Sequence, residues 1–247
     1  MRRTGWPIFP LGQYFEGGQG LPAFFILRHD VDRRPGRALE MAAVEESFGV
    51  RSTFYFRVNR DVFNMDIIRS IAAMNHEIGY HSEVLHKARG RIDSAERIFW
   101  YELSRLRSLA EVRTASMHGN PLSRWDNRDF WKYFTPSRFG LSGEAYGSVK
   151  DPCIFYLTDT GRGWNRWAFN ARDRFPEGSV RLMPALASTA QLIRTLREGA
   201  YKKVYLQVHP NRWTSGTMQW HCQWVEDLLL NAVKWFLMRV RRGTYQP

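Results

Sequence analysis

The chain has two cysteines, Cys153 and Cys222, in 247 residues. They are too few and too far apart in sequence for a disulfide framework, and they suit a reducing compartment. No stretch approaches the ~20 consecutive apolar residues that a bilayer span requires. The first residues, Met1-Arg2-Arg3-Thr4-Gly5-Trp6-Pro7, lack the apolar run of a secretory signal. Internal repeats and low-complexity tracts are absent. So are a zinc-finger spacing, an RNA-recognition signature and a long basic run. A cytoplasmic protein with no specific nucleic-acid partner is the expectation.

What is present is apolar and basic. A hydrophobic content of 44% with 15% aromatic residues is enough to build a core. The length suits one sizeable α/β domain rather than two. The 36 Lys and Arg against 24 Asp and Glu leave a net charge of +12, which draws polyanions of several kinds. That charge is scattered over Arg2-Arg3, Arg33-Arg34, the 97–107 segment, Arg239 and Arg241-Arg242. Ten Trp are available to line a sugar site or to fill the core.

Residues 1–22, with Gly17, Gly18 and Gly20, read as an irregular lead-in to a domain over 23–247. Ala23 to Leu27 is a short all-apolar run, as expected of a strand buried on both faces, and it gives way to Arg28-His29-Asp30-Val31-Asp32. A helix follows Pro35 and stops at Gly49. The alternation then recurs: strand-like 52–58, helical 65–74, a short strand 77–80, a long amphipathic helix 93–112 and strand-like 114–117. After these come a strand at 154–157, a helix at 188–197, a strand at 203–208 and a Trp-rich helix at 218–239. Repeated strand-then-helix units predict a parallel sheet or a barrel. Ionisable residues follow the strands one after another: Asp30, His81, His118, Asp159 and His209. The carboxyl ends of barrel strands are where functional groups gather, so these residues mark a candidate site.

Asp30 and Asp32, spaced i and i+2, point the same way on extended backbone. Such a pair can share a metal, or divide the work of metal ligand and general base; capping and pairing with Arg are the plainer alternatives. In His76-Glu77-Ile78-Gly79-Tyr80-His81-Ser82-Glu83, imidazoles and carboxylates cluster after a strand, as a borderline metal such as Zn²⁺ requires. His76 falls on the far side and reads as structural. Glu83 and His86 compete for a third ligand position, although an offset of five residues turns His86 away from His81 on a regular helix. His209, after an apolar strand, can act as a general acid.

Together these motifs resemble the polysaccharide deacetylases, the NodB-homology group of carbohydrate esterase family 4. More narrowly they resemble the WbmS-like branch found in bacterial surface-polysaccharide loci. The likeness is carried by Arg28 to Asp32, His76 to Ser82, Met117 to Arg128, Tyr156 to Trp164 and His209 to Trp213, in the family's order. The resemblance implies a single-domain distorted (β/α) barrel of about seven parallel strands. It also implies a divalent metal, Zn²⁺ first, and hydrolysis of N- or O-acetyl groups on a sugar of a surface polysaccharide or its precursor. Carried over by position, Asp30 is the general base, Asp32 and His81 are metal ligands and His209 is the general acid. Two departures stand out. Leu85 occupies the place of the family's second metal His, and Met117 to Arg128 replaces its Arg-Pro motif. The ligand set would therefore be rebuilt around Glu83, His86 or His118.

His118, Asn120, Arg124, Arg128, Asp159, Arg162 and Trp164 are candidates for substrate contact, the Arg forks suiting an anionic glycan. Their plainer roles are surface ion pairing and core packing. Three other functions compete: a catalytically inactive glycan-binding descendant, a metal amidohydrolase or phosphoesterase acting on a small molecule, and a nucleic-acid binder. The 218–239 helix is expected to pack against the barrel, with peripheral contact to an anionic membrane as the alternative.

Overall fold

The computed structural model describes residues 5–120, 123–160, 163–165, 175–214, 216–221, 223–225 and 228. Its strands are β1 (Ile8–Phe9), β2 (Phe24–Val31), β3 (Thr53–Phe56), β4 (Glu77–Ser82), β5 (Thr114–Met117), β6 (Gly143–Glu144), β7 (Ile154–Thr158), β8 (Arg181–Leu182) and β9 (Lys203–Val208). Helices α1 (Leu11–Phe15), α2 (Pro35–Ser47), α3 (Met65–Ala73), α4 (Val84–Lys87), α5 (Ile92–Arg107) and α6 (Thr189–Arg197) connect them. Helix boundaries follow local chemistry. Asn64 and Ser188 cap α3 and α6 through Ile67 N and Gln191 N, and Pro35 opens α2 at a position that needs no donor.

Eight strands follow the order β6-β5-β4-β3-β2-β9-β7-β8 and curl into a half-barrel, with every strand pair parallel. This is the mixed α/β barrel-type sheet that the repeating pattern predicts. The lead-in is more ordered than its composition suggests. Strand β1 pairs with Phe25 and Ile26, on the flank of β2 that β3 reaches only from Arg28 onward.

Strand β2 also runs four residues past the apolar run, through Val31. The physical reason lies in the alternation of its side chains. Phe24 and Ile26 face the concave interior with Tyr55, Tyr156 and Tyr205, whereas Phe25 and Leu27 pack outward against Leu192 and Leu196 of α6. Arg28 and Asp30 continue the inner row and pair with each other, and outward-facing His29 meets Glu45 of α2 at 2.8 Å. The polar residues are thus satisfied on both faces, and the strand need not end.

The same period of two sets the inner row on each neighbouring strand. Glu77, Gly79 and His81 line up on β4, Thr114 and Ser116 on β5, and Tyr205 and Gln207 on β9, with His118 and His209 one step beyond. Gly79 is required there: a Cβ would lie 2.3 Å from the Tyr55 ring. The register Asp30↔Tyr55, Tyr55↔Gly79 and His81↔Ser116 then carries Asp30 and His81 to one end of the half-barrel.

Candidate metal centre

At the carboxyl ends of β2, β4 and β5, the ligand atoms of Asp32, His81 and His118 lie within 4.8 Å of one another. Asp32 Oδ1 is 3.3 Å from His81 Nε2 and 3.0 Å from His118 Nδ1, and the two nitrogens are 3.2 Å apart. His81 Nδ1 faces the Ser116 carbonyl at 3.3 Å. A carbonyl can only accept, so Nδ1 carries the proton and the Nε2 lone pair points into the cluster. Burial holds the His118 pKa below its ordinary value even with Asp32 alongside. Asp32 Oδ1 is buried and accepts no hydrogen bond of normal geometry despite its two close nitrogens. One carboxylate and two imidazoles with converging ligand atoms make a donor set that suits a divalent ion of the Zn²⁺ type.

Behind the triad, Asp30 is clamped by its Oδ2. Arg28 Nη2 donates to that oxygen at 3.0 Å and Gln207 Nε2 at 2.6 Å. Arg28 is fully buried and is held in turn by Tyr205 OH at 3.1 Å and Tyr146 OH at 2.5 Å. Gln207 Oε1 accepts from the hydroxyls of Tyr146 and Tyr156. Asp30 Oδ1 is buried and unpartnered, and Oδ2 lies 4.0 Å from His81 Nε2. A carboxylate with one oxygen fixed and the other without a donor has the form of a proton acceptor.

His209 approaches from β9, its Nε2 3.9 Å from Asp32 Oδ2. Its Nδ1 donates to Asp159 Oδ1 at 2.6 Å. Asp159 also takes Trp213 Nε1 at 3.0 Å and Arg212 Nη1 at 3.1 Å. Burial opposes the Asp159 charge, but Arg212 and His209 outweigh it and hold the carboxyl at about 2. Burial and Arg212 likewise work against the His209 imidazolium. Asp159 and Asp32 overcome them, leaving its pKa above the ordinary histidine value. A cleft of about 280 Å³ opens beside this pair, lined by Trp164, Thr189, Arg212, Trp213 and Trp220.

The sequence candidates sort accordingly. Asp30, Asp32, His81 and His209 come together as the spacing predicts. His118, a candidate both for substrate contact and for the rebuilt ligand set, completes the triad, because β5 lies next to β4 and His118 N bonds to Ser82 O at 2.7 Å. Glu83 and His86, expected as ligands, fall outside the triad. Glu83 is tied to Arg57 at 2.6 Å and to Lys87 at 3.2 Å, while His86 sits on α4 with its backbone N–H bonded to Asn127. Asp159 is buried as the partner of His209 and also borders the cleft. Trp164 is also buried and donates to Thr189, although its ring lines the cleft. Arg128 is taken up by Asp126, Arg124 stacks over Trp125 at 4.4 Å, and Asn120 is half-buried. Arg162 lies outside the described residues. Sequence reasoning missed Arg28, Gln207 and Arg212. A charge inside an apolar strand, two residues from Asp30, was the available signal for the first.

Glu83→Gln tests its structural role. Burial opposes the charge, but Arg57, His118 and Lys87 hold the pKa at about 2, below the usual 4.5. A depressed carboxylate contributes stability that is present above pH ~4.5 and lost as pH falls towards ~2. The variant is expected to cost about 2–3 kcal/mol at pH 7 in urea denaturation, with the gap closing below pH ~4, and to bind metal normally.

No protein-family model matches the chain, and no curated protein matches it. Among solved structures it is similar to a family 4 carbohydrate esterase from Streptomyces lividans in complex with acetate, at 13% identity over 84% of this chain and 88% of that one, with a TM-score of 0.46. A putative polysaccharide deacetylase from Mycobacterium smegmatis is similar at 15% identity over 90% and 91%, TM-score 0.46. A wild-type CE4-family pseudoenzyme from Bacillus anthracis is similar at 16% identity over 75% and 68%, TM-score 0.39. Likenesses this distant assign neither activity nor ligands to the chain.

Proposed function

We propose that this protein is a metal-dependent hydrolase that removes N- or O-acetyl groups from a carbohydrate. One observation carries the reading: an Asp32–His81–His118 donor set lies between a clamped carboxylate, Asp30, and a carboxylate-supported imidazole, His209. Asp32, His81 and His118 would hold the ion. When bound, a divalent ion supplies Lewis-acid activation of water and of the acyl oxygen.

The remaining work belongs to the chain's own side chains. Asp30 Oδ1 takes the proton of the attacking water, while Arg28 and Gln207 fix its other oxygen and hence its direction. Asp159 holds the His209 ring in the tautomer that keeps Nδ1 protonated, so Nε2 can deliver a proton to the departing amine or alkoxide. The indoles of Trp164, Trp213 and Trp220 offer flat apolar faces beside that proton donor, as the C–H face of a pyranose requires. A sugar of a bacterial surface polysaccharide, or its precursor, is the substrate we assign. The motif likeness to the WbmS-like branch supports that choice.

The test is acetate release from acetylated mono- and oligosaccharides by protein loaded with Zn²⁺, Co²⁺ or Ni²⁺, with Asp30→Asn as the inactive control. A chain that cannot be loaded with any of these metals overturns the reading and leaves a glycan-binding descendant in its place. Asp159→Asn adds a second check. Because His209 must be protonated to act, activity falls as pH rises through its pKa, and removing the Asp159 charge lowers that pKa. The high-pH limb of kcat/KM is expected to move down by about one unit, with kcat roughly 10–100-fold lower.

A further inference from the structure

The helical turns at residues 217–221 and 223–225 pack the opposite way round from a helix that buries its apolar face. Gln223 faces the barrel, and Gln219, four residues before it, is exposed but bonded to α2. Gln219 accepts from Arg37 and Gln223 from Arg34, and Gln223 is only 1% exposed. The apolar positions point outward. Met218 is 80% exposed, Trp224 42%, Val225 50% and Leu228 46%, with Trp220 half-exposed in the same row. On a helical wheel 220, 224 and 228 form one ridge, and 218 and 225 border it. The 218–239 helix was expected to pack on the barrel; its described apolar side chains are exposed, and residues 229–239 lie outside the described residues.

Two further features bear on what covers it. The sequence from Leu228 to Pro247 carries Lys234, Arg239, Arg241 and Arg242 and no carboxylate side chain, within a chain of net charge +12. Two Trp at the helix, with Trp213 a further 38% exposed beside the cleft, supply rings with an apolar body and a polar edge. Outward apolar and indole side chains, in a sequence that carries Glu226 and Asp227 and then only cations to its end, are the composition of a helix lying in the plane of an anionic bilayer interface. A second copy of this chain is the poorer occupant, since it would bring two strongly positive molecules together. Among the described residues no helix is long and apolar enough to cross a membrane.

We propose that the ridge of Trp224, Val225 and Leu228 docks in the head-group region of an anionic lipid surface, with Trp220 between it and the cleft beside His209. The inference does not rest on the hydrolase reading, and its test needs no activity. Full-length protein is floated with phosphatidylcholine vesicles, with or without roughly 30 mol% phosphatidylglycerol. Flotation with the anionic vesicles only, weakened between ~0.1 and ~0.5 M salt, is expected. Val225→Glu/Leu228→Glu should lower partitioning at least about tenfold with the melting temperature unchanged. Absence of flotation overturns the proposal, as does flotation that the double variant retains. So does a dimer in light scattering that the double variant dissociates, because the occupant would then be a second copy.

Discussion

His118→Ala is expected to empty the metal site, whereas His86→Ala is expected to leave it filled. The triad provides three protein donors, the minimum for a catalytic zinc-type site, and His118 is one of its two nitrogens. Loss of an outer partner alone weakens such sites about 10–100-fold, so loss of a direct ligand should exceed about 100-fold in affinity and in kcat/KM. His86 lies off this cluster, and its removal should change affinity less than about twofold. Elemental analysis after dialysis against a weak chelator measures both. The reverse outcome, metal lost from His86→Ala and kept in His118→Ala, would return the third ligand to the helix after β4. A rescue attempt sharpens the point. In the family the chain resembles, the second His stands where this chain has Leu85. Leu85 is 3% exposed in the cluster with Val84, Ala88, Phe99 and Phe130. His118→Ala/Leu85→His should therefore remain metal-free and lose further stability, because an imidazole placed there is buried among apolar side chains.

That substitution also shows where sequence reading stops. The strand ends were legible because short apolar runs give way to ionisable residues, and the parallel half-barrel followed from their alternation with helices. Asp30, Asp32, His81 and His209 were legible for the same reason. His118 carried the same signature, a His directly after a short strand, yet its partner was hidden. Only the neighbour relation of β4 and β5, with Ser82 opposite Met117, places it against His81. Glu83 and His86 looked closer because they are closer in sequence, but the turn into α4 directs Glu83 to Arg57 and Lys87. Asp159 was found, but its partners were hidden: only β9 brings His209 and Arg212 to a carboxylate one residue past β7. Arg28 was passed over since a guanidinium within an apolar strand has no local partner other than Asp30. The tyrosines that house it come from β3, β7, β9 and the segment after β6.

Arg28→Met is expected to be the most destabilising substitution in the inner row. Arg28 is fully buried, its guanidinium 4.4 Å from the Tyr146 ring centre and 5.5 and 5.6 Å from those of Tyr55 and Tyr205. It is the cation at hydrogen-bond distance from Asp30. Methionine fills much of the volume but leaves a buried carboxylate without its counter-charge, a change that costs about 3–5 kcal/mol. For a domain of this size that is a fall of roughly 6–20 °C in Tm. Arg28→Lys should recover little, because one ammonium cannot reach Asp30, Tyr146 and Tyr205 with the geometry of the planar fork. Arg28→Met/Asp30→Asn separates charge from packing. If the ion pair is the source of the loss, the double variant should be more stable than Arg28→Met by about 1–3 kcal/mol, and under the proposed function it should be inactive. Equal instability in the two would place the cost in the tyrosine packing instead. A loss under about 1 kcal/mol for Arg28→Met alone would mean that water reaches Asp30 from behind, and the Arg28 contact that fixes Oδ2 would be no clamp.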